Sequence, residues 1–282
     1  MKQPMRKQLN TASRQEQLAD GRAARKASLS LFQALMERYA AQFTFKDTSV
    51  RRQIGCGEGQ EGLYGSLTFL SQLKLTWELM AGGDMPRSPA TWQPGQEPVV
   101  LDFGAGTGRP MVLWQSLNLV HRAIGYEFDQ VKVGKSLPYM LRLITRVRFE
   151  SGLPIRTDPP TLLLQDVAKL RPADVSPLRP TLGYSFCAGM PPEAKKAMGD
   201  ILRGCASMKV LVLVDYGHEA PLQVLTRLVD RGEQPLDHFD FRTMTGLQAM
   251  GRKGSYRALI VRRKSHQQAP VHLTDEEEAG EQ

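Results

Sequence analysis

The chain has 282 residues and a mass of 31.5 kDa, which fits one large α/β domain with appendages or two small domains packed together. Hydrophobic residues make up 41% and charged residues 23%, so disordered, collagen-like and coiled-coil readings fall away for the chain as a whole. The net charge of +8 is unevenly placed: residues 1–54 carry eleven Lys/Arg against four Asp/Glu, and residues 55–282 carry 26 against 25.

In chain order, residues 1–21 are polar and aperiodic and are expected to form a disordered basic arm, there for solubility or for electrostatic affinity toward a polyanion. The start has no apolar signal core, and no apolar run approaches the roughly 20 residues of a membrane helix, so a soluble intracellular chain is expected. Residues 22–97 read as a helical front section. Phe32, Leu35, Met36, Tyr39, Ala40 and Phe43 recur at helical spacing, predicting an amphipathic helix over about 24–43 whose apolar stripe packs on a core. A glycine-rich acidic loop, GCGEGQEGLYG, comes next, then an apolar-periodic helix from Leu67 to Met80, then a breaker stretch running to Pro98.

From residue 98 to 264 the pattern alternates. Strands are predicted at Val99–Phe103, Ala123–Glu127, Thr161–Gln165, Thr181–Phe186 and Lys209–Tyr216, each short, apolar and bounded by turn residues. Helices fill the gaps at Arg109–Leu117, Val133–Glu150, Pro192–Cys205 and Pro221–Arg231, with Pro138 expected to kink the second. Alternation of this kind implies an α/β fold with a parallel sheet covered on both faces. Pieces near Asp240–Leu247 and Tyr256–Arg262 then close the sheet as an antiparallel hairpin. Residues 265–282 are expected to be a disordered acidic tail, since Asp275–Glu281 holds five acids and no base. Cys56, Cys187 and Cys205 are odd in number, far apart and without a C-x-x-C pair, so they read as free thiols and no metal is expected.

The strongest chemical signal is VVLDFGAGTGR, residues 99–109: a buried strand carrying Asp102, then Gly104-Ala105-Gly106 and Gly108, then a helix. Glycines there let the backbone turn sharply and let a ligand approach the main chain. A dinucleotide fingerprint needs glycine at position 109, where this chain has Arg109, so a pyrophosphate on that helix is disfavoured. An acid ahead of the glycines suits a ligand with an ammonium group instead. Glu127 ends the next strand, where a carboxylate can accept hydrogen bonds from both hydroxyls of a ribose. Asp166 follows the third strand and is placed to accept from an adenine amino group; alone it reads equally well as a helix cap.

Leu63-Tyr64-Gly65-Ser66 precedes this unit, Pro192-Glu193 follows the fourth strand, and Ser255-Tyr256 opens the last. The constellation over about residues 98–216 resembles the class I S-adenosylmethionine-dependent methyltransferases. With the three anchors, from about Gly57 to Val261, the chain is similar to the disruptor-of-telomeric-silencing family, the histone H-three lysine methyltransferases that lack a SET domain. Its small size is similar to compact kinetoplastid members. The resemblance implies a Rossmann-like methyltransferase sheet and S-adenosylmethionine as cofactor, held by Tyr64, Thr68, Asp102, Gly104, Ala105, Gly106, Gly108, Glu127 and Asp166. It implies a lysine of nucleosomal histone H-three as acceptor, nucleosomal DNA as a further contact, and a nuclear location. Three positions depart from the family: Ser66 stands for its glutamate, Leu67 for its threonine with Thr68 one step on, and Ser185-Phe186-Cys187 where it has an asparagine.

Methyl transfer to an amine asks for alignment at roughly 3 to 3.5 Å and for a desolvating channel with aromatic walls. Tyr256, by the resemblance, and Phe186 and Tyr184, by their place at the end of the fourth strand, are the candidate walls; each of the latter two also reads as core packing. His218 reads as a surface or capping residue and Cys187 lacks a base nearby in sequence. Arg262-Arg263-Lys264 reads as a solvated face or as a contact for nucleosomal DNA. Two other functions stay open: the same fold acting on RNA, a non-histone protein or a small molecule, and a non-catalytic chromatin or RNA binder.

Overall fold

The computed structural model describes residues 66–86, 92, 95–151, 157–216, 220–228, 235–249 and 255–264. The basic arm, the expected helix at 24–43, the acidic loop with Tyr64, His218 and the acidic tail lie outside the described residues.

The elements are α1 (Phe69–Ala81), β1 (Val99–Phe103), α2 (Arg109–Ser116), β2 (Arg122–Glu127), α3 (Gln130–Ser151), β3 (Thr161–Leu164), α4 (Pro172–Val175), β4 (Leu182–Phe186), α5 (Pro192–Gly204), β5 (Val210–Asp215), α6 (Pro221–Leu228), α7 (Pro235–His238), β6 (Phe239–Leu247) and β7 (Tyr256–Arg263). They build a seven-stranded sheet in the order β3-β2-β1-β4-β5-β7-β6. The first five strands are parallel, while β7 pairs antiparallel with β5 and with β6. Strands β1 and β5 are apolar apart from Asp102 and Asp215 near their carboxyl ends, because helices cover both of their faces. This is an α/β architecture, a Rossmann-like parallel sheet closed by a C-terminal antiparallel hairpin.

Two apolar layers sandwich the sheet. One joins Leu75 and Leu79 of α1, Trp114 of α2 and Met140 of α3 to Val100, Tyr184 and Val212. The other joins Met198, Ile201 and Leu202 of α5 and Leu225 of α6 to Leu101, Phe103 and Leu213. The helix α1 belongs to the first layer, so residues 66–86 share the core of the 98–264 unit.

Its attachment is polar as well as apolar. Leu67 bridges to Ala249, the Thr68 amide donates to Gln248 O at 2.8 Å, and the Gln248 amide donates to Ser71 Oγ at 2.8 Å. Past the end of α1, the side chain of Asp84 is buried and accepts from Arg262 Nε at 2.6 Å and from Arg242 at 3.0 Å. Arg242 also donates to Glu78 at 2.6 Å.

The expected elements stand with shifted ends. Helix α3 starts three residues before the expected Val133, because Asp129 Oδ1 accepts from the Val131 amide at 2.8 Å and starts the turn early. The expected long gap between β3 and β4 holds short helical turns at Val167–Lys169, α4 and Ser176–Leu178. Among the described residues, no helix is long and apolar enough to cross a membrane.

Candidate active site

Strand order reverses between β1 and β4: from β1 the chain steps outward to β2 and β3, then returns to β4 and steps the other way to β5. Open α/β sheets bind ligands in the crevice at the carboxyl ends of the strands on either side of such a switch. A cleft lies there, lined by Ser66, Asp102, Gly104, Ala105, Arg109, Pro110, Tyr184 and Phe186.

Asp102 is 2% exposed, and its Oδ2 has no hydrogen-bond partner among the described residues. Burial first, and the neighbouring Glu127 carboxylate second, weaken it as an acid and push its pKa up to about 8. An orphaned buried carboxyl atom on a cleft wall is costly unless a ligand completes it, and a carboxylate is best completed by a cationic donor.

The turn after β1 is held on both sides. The amides of Gly104 and Ala105 both donate to Tyr126 O at 2.9 Å, tying the turn to β2. Gly104 and Gly108 have φ of +77° and +68°, a region a side chain rarely adopts. A Cβ on Gly108 would also meet the Met140 sulfur, and one on Gly104 the Met190 methyl.

Glu127 is 4% exposed and accepts from the Gly106 amide at 2.8 Å through Oε2 and from the Asp129 amide at 3.1 Å through Oε1. The glycine loop is thus fastened by the acid of the next strand, a role the sequence does not signal. Acceptor capacity remains, since a carboxylate offers about four lone-pair sites.

The other sequence-chosen positions divide. Asp166 caps the turn at Val167–Lys169 by accepting from the Ala168 amide at 3.0 Å, its side chain 45% exposed; the capping alternative is the contact seen. Thr68 is the N-cap of α1, accepting from the Ser71 amide at 3.3 Å, and it does not line the cleft. Tyr64 lies outside the described residues. The structure adds Ser66, Arg109 and Pro110 to the wall; Arg109 was visible in sequence only as the residue that breaks a dinucleotide fingerprint.

On the β4 side, Tyr184 is buried, packs edge-on against Trp114 with ring centroids 5.4 Å apart, and lines the cleft. Phe186, also on the wall, lies 5.2 Å from Tyr256, and Tyr256 lies 5.1 Å from Tyr216. Tyr216, the last residue of the strand predicted at Lys209–Tyr216, stands just past β5, and only its ring contact with Tyr256 marks it as a site candidate.

The Cys187 thiol is buried and pushed up to about 12, chiefly by that burial, so it stays a thiol and is no nucleophile. Ser185 Oγ donates to Phe103 O at 2.8 Å. The C-terminal basic residues make contacts within the fold: Arg262 binds Asp84, Arg263 donates to the carbonyls of Leu202 and Arg203 at the end of α5, and Lys264 lies 3.8 Å from Asp240.

No protein-family model and no curated protein matches the chain. Among solved structures it is similar to an rRNA methylase from Streptococcus thermophilus, at 14% identity over 60% of this chain and 89% of that one, with a TM-score of 0.38. It is similar to the precorrin-6y C5,15-methyltransferase of Geobacter metallireducens, at 14% identity over 60% and 81%, with a TM-score of 0.40. A third is a Streptococcus pneumoniae protein in complex with S-adenosyl-L-methionine, at 15% identity over 70% and 75%, with a TM-score of 0.40.

Proposed function

We propose that the chain is an S-adenosylmethionine-dependent methyltransferase. The observation that carries this reading is the buried Asp102 atom that no described residue satisfies, on the wall of a cleft at the sheet's switch point. The residues fit the cofactor: Asp102 for its ammonium, the glycine turn for close approach of its backbone-facing side, and the spare lone pairs of Glu127 for ribose hydroxyls. When bound, the cofactor supplies an electrophilic methyl group.

The protein's own part is placement and exclusion of water. Asp102 anchors one end of the ligand, and Tyr184 and Phe186 wall the cleft on the β4 side. The rings of Phe186, Tyr256 and Tyr216 offer an apolar path on which an amine loses its hydration and its neutral form is favoured. The finer reading, from the Ser255-Tyr256 and Pro192-Glu193 anchors, is a lysine of nucleosomal histone H-three, methylated in the nucleus. A second reading, with RNA, a non-histone protein or a small molecule as acceptor, draws on Ser185-Phe186-Cys187 standing where the resembled family has an asparagine.

Calorimetric titration with S-adenosylmethionine, followed by tritiated-methyl transfer to nucleosomes, free histone octamers and total RNA, tests both levels. Binding and labelling of any acceptor support the methyltransferase reading, and the labelled species decides between the acceptors. Absence of cofactor binding overturns the reading.

A further inference from the structure

We propose that Tyr216 is the third wall of the acceptor pocket and that the Lys195–Asp215 pair positions it. The inference rests on the methyltransferase reading and goes beyond it in naming residues that set acceptor fit. The three rings are in successive contact from the cleft wall: Phe186 on the wall, Tyr256 at 5.2 Å from Phe186, and Tyr216 at 5.1 Å from Tyr256 with the two ring planes 33° apart. Tyr256 is 3% exposed, whereas Tyr216 is half-buried, so the series of rings reaches from the core toward the surface.

Asp215 fixes where Tyr216 leaves β5. Its Oδ1 accepts from the Tyr216 amide at 2.7 Å, and its Oδ2 accepts from Lys195 Nζ, also at 2.7 Å. Lys195 stands in the first turn of α5, so the pair ties the end of β5 to the helix that follows β4. Both side chains are about one-third exposed, at 35% and 34%, and an ion pair so hydrated adds little to stability. Its consequence lies in geometry: a ring displaced by about 1 Å in such a pocket costs up to roughly 100-fold in rate. Aromatic faces also attract an ammonium or its methylated product, which suits a row of rings to an amine acceptor.

The test is tritiated-methyl transfer to nucleosomes and to total RNA by wild type, Tyr216→Ala, Tyr216→Leu, Lys195→Met and Lys195→Arg, with cofactor affinity and melting temperature measured for each. Expected are a loss of about 10- to 100-fold in kcat/KM for both Tyr216 variants, seen mainly in the acceptor KM, with cofactor Kd unchanged. Lys195→Met should lose a smaller factor and Lys195→Arg should recover it, with melting temperatures close to wild type. Unchanged kcat/KM in the Tyr216 variants, or losses that track melting temperature, would overturn the proposal. Cofactor binding without transfer to either acceptor would contradict the acceptor pocket itself, whereas absent cofactor binding would overturn the methyltransferase reading beneath it.

Discussion

Asp84 and Asp102 are both buried aspartates, with Asp84's side chain and Asp102 as a residue each 2% exposed, yet the protein treats them in opposite ways. Asp84, where α1 meets the β6–β7 hairpin, is gripped by two guanidinium groups, Arg262 at 2.6 Å and Arg242 at 3.0 Å. Asp102, at the switch point, has an oxygen with no partner among the described residues, and the charge acting on it is the Glu127 carboxylate. A buried carboxyl group that the chain itself completes with cations is architecture, and one that it leaves incomplete waits for a ligand. The clasp at Asp84 also holds the front helix on the sheet whose crevice contains the incomplete site.

The comparison breaks most visibly at the clasp. Replacing both cations, Arg242→Met with Arg262→Met, leaves Asp84 buried without a counter-charge and should cost about 3–5 kcal/mol in urea unfolding. Cofactor affinity of the folded fraction should stay near that of wild type. A smaller loss than 1 kcal/mol would mean that Asp84 reaches water and that the contrast between the two aspartates is false.

At the other aspartate the expected signs are reversed. In the folded, empty chain Asp102 keeps its proton up to about pH 8, while in the unfolded chain it ionises near its ordinary value of about 4. Between those values the native state binds one proton more, so this group makes stability fall as pH rises, by about 1.4 kcal/mol per pH unit. Asp102→Asn should therefore stabilise the empty protein at pH 7 and flatten that slope, while weakening S-adenosylmethionine binding by about 10- to 100-fold through loss of a charge-assisted contact. Denaturant titrations at pH 5 and pH 7, paired with calorimetry, read both effects.

Glu127→Ala sharpens the picture on the β2 side. It strips partners from the Gly106 and Asp129 amides, and each buried donor left unsatisfied costs about 1–3 kcal/mol. Lower melting temperature together with lost cofactor binding is expected; lost binding at unchanged stability would show that the carboxylate serves the ligand alone. The smallest effect belongs to Asp166→Asn, because asparagine caps as well as aspartate, so stability should move by no more than about 0.5 kcal/mol. An accompanying fall in cofactor affinity would restore Asp166 to the adenine site.

The sheet was legible because each parallel strand is a short apolar run between turn residues, and β1 has the bounds that its pattern predicts. The switch-point acid and its glycines were legible for the same reason: they sit within eleven consecutive residues. What stayed hidden depends on pairs distant in sequence. Arg262 reads as a solvated charge until Asp84, 178 residues earlier, is seen beside it. The hold of Glu127 on Gly106 spans 21 residues, and a strand-end acid gives no sign of whether an amide or a ligand will meet it. The short turns around α4 carry prolines but too few residues for a period to emerge.

The central claim is that a cationic ligand group completes Asp102. Calorimetric titration of S-adenosylmethionine at pH 7, in buffers of different ionisation enthalpy, measures both affinity and the proton that Asp102 must release when an ammonium replaces it. The account predicts binding with release of close to one proton by wild type, and weak binding with none released by Asp102→Asn. Absence of binding, or equal affinity and proton release in the two proteins, would contradict it.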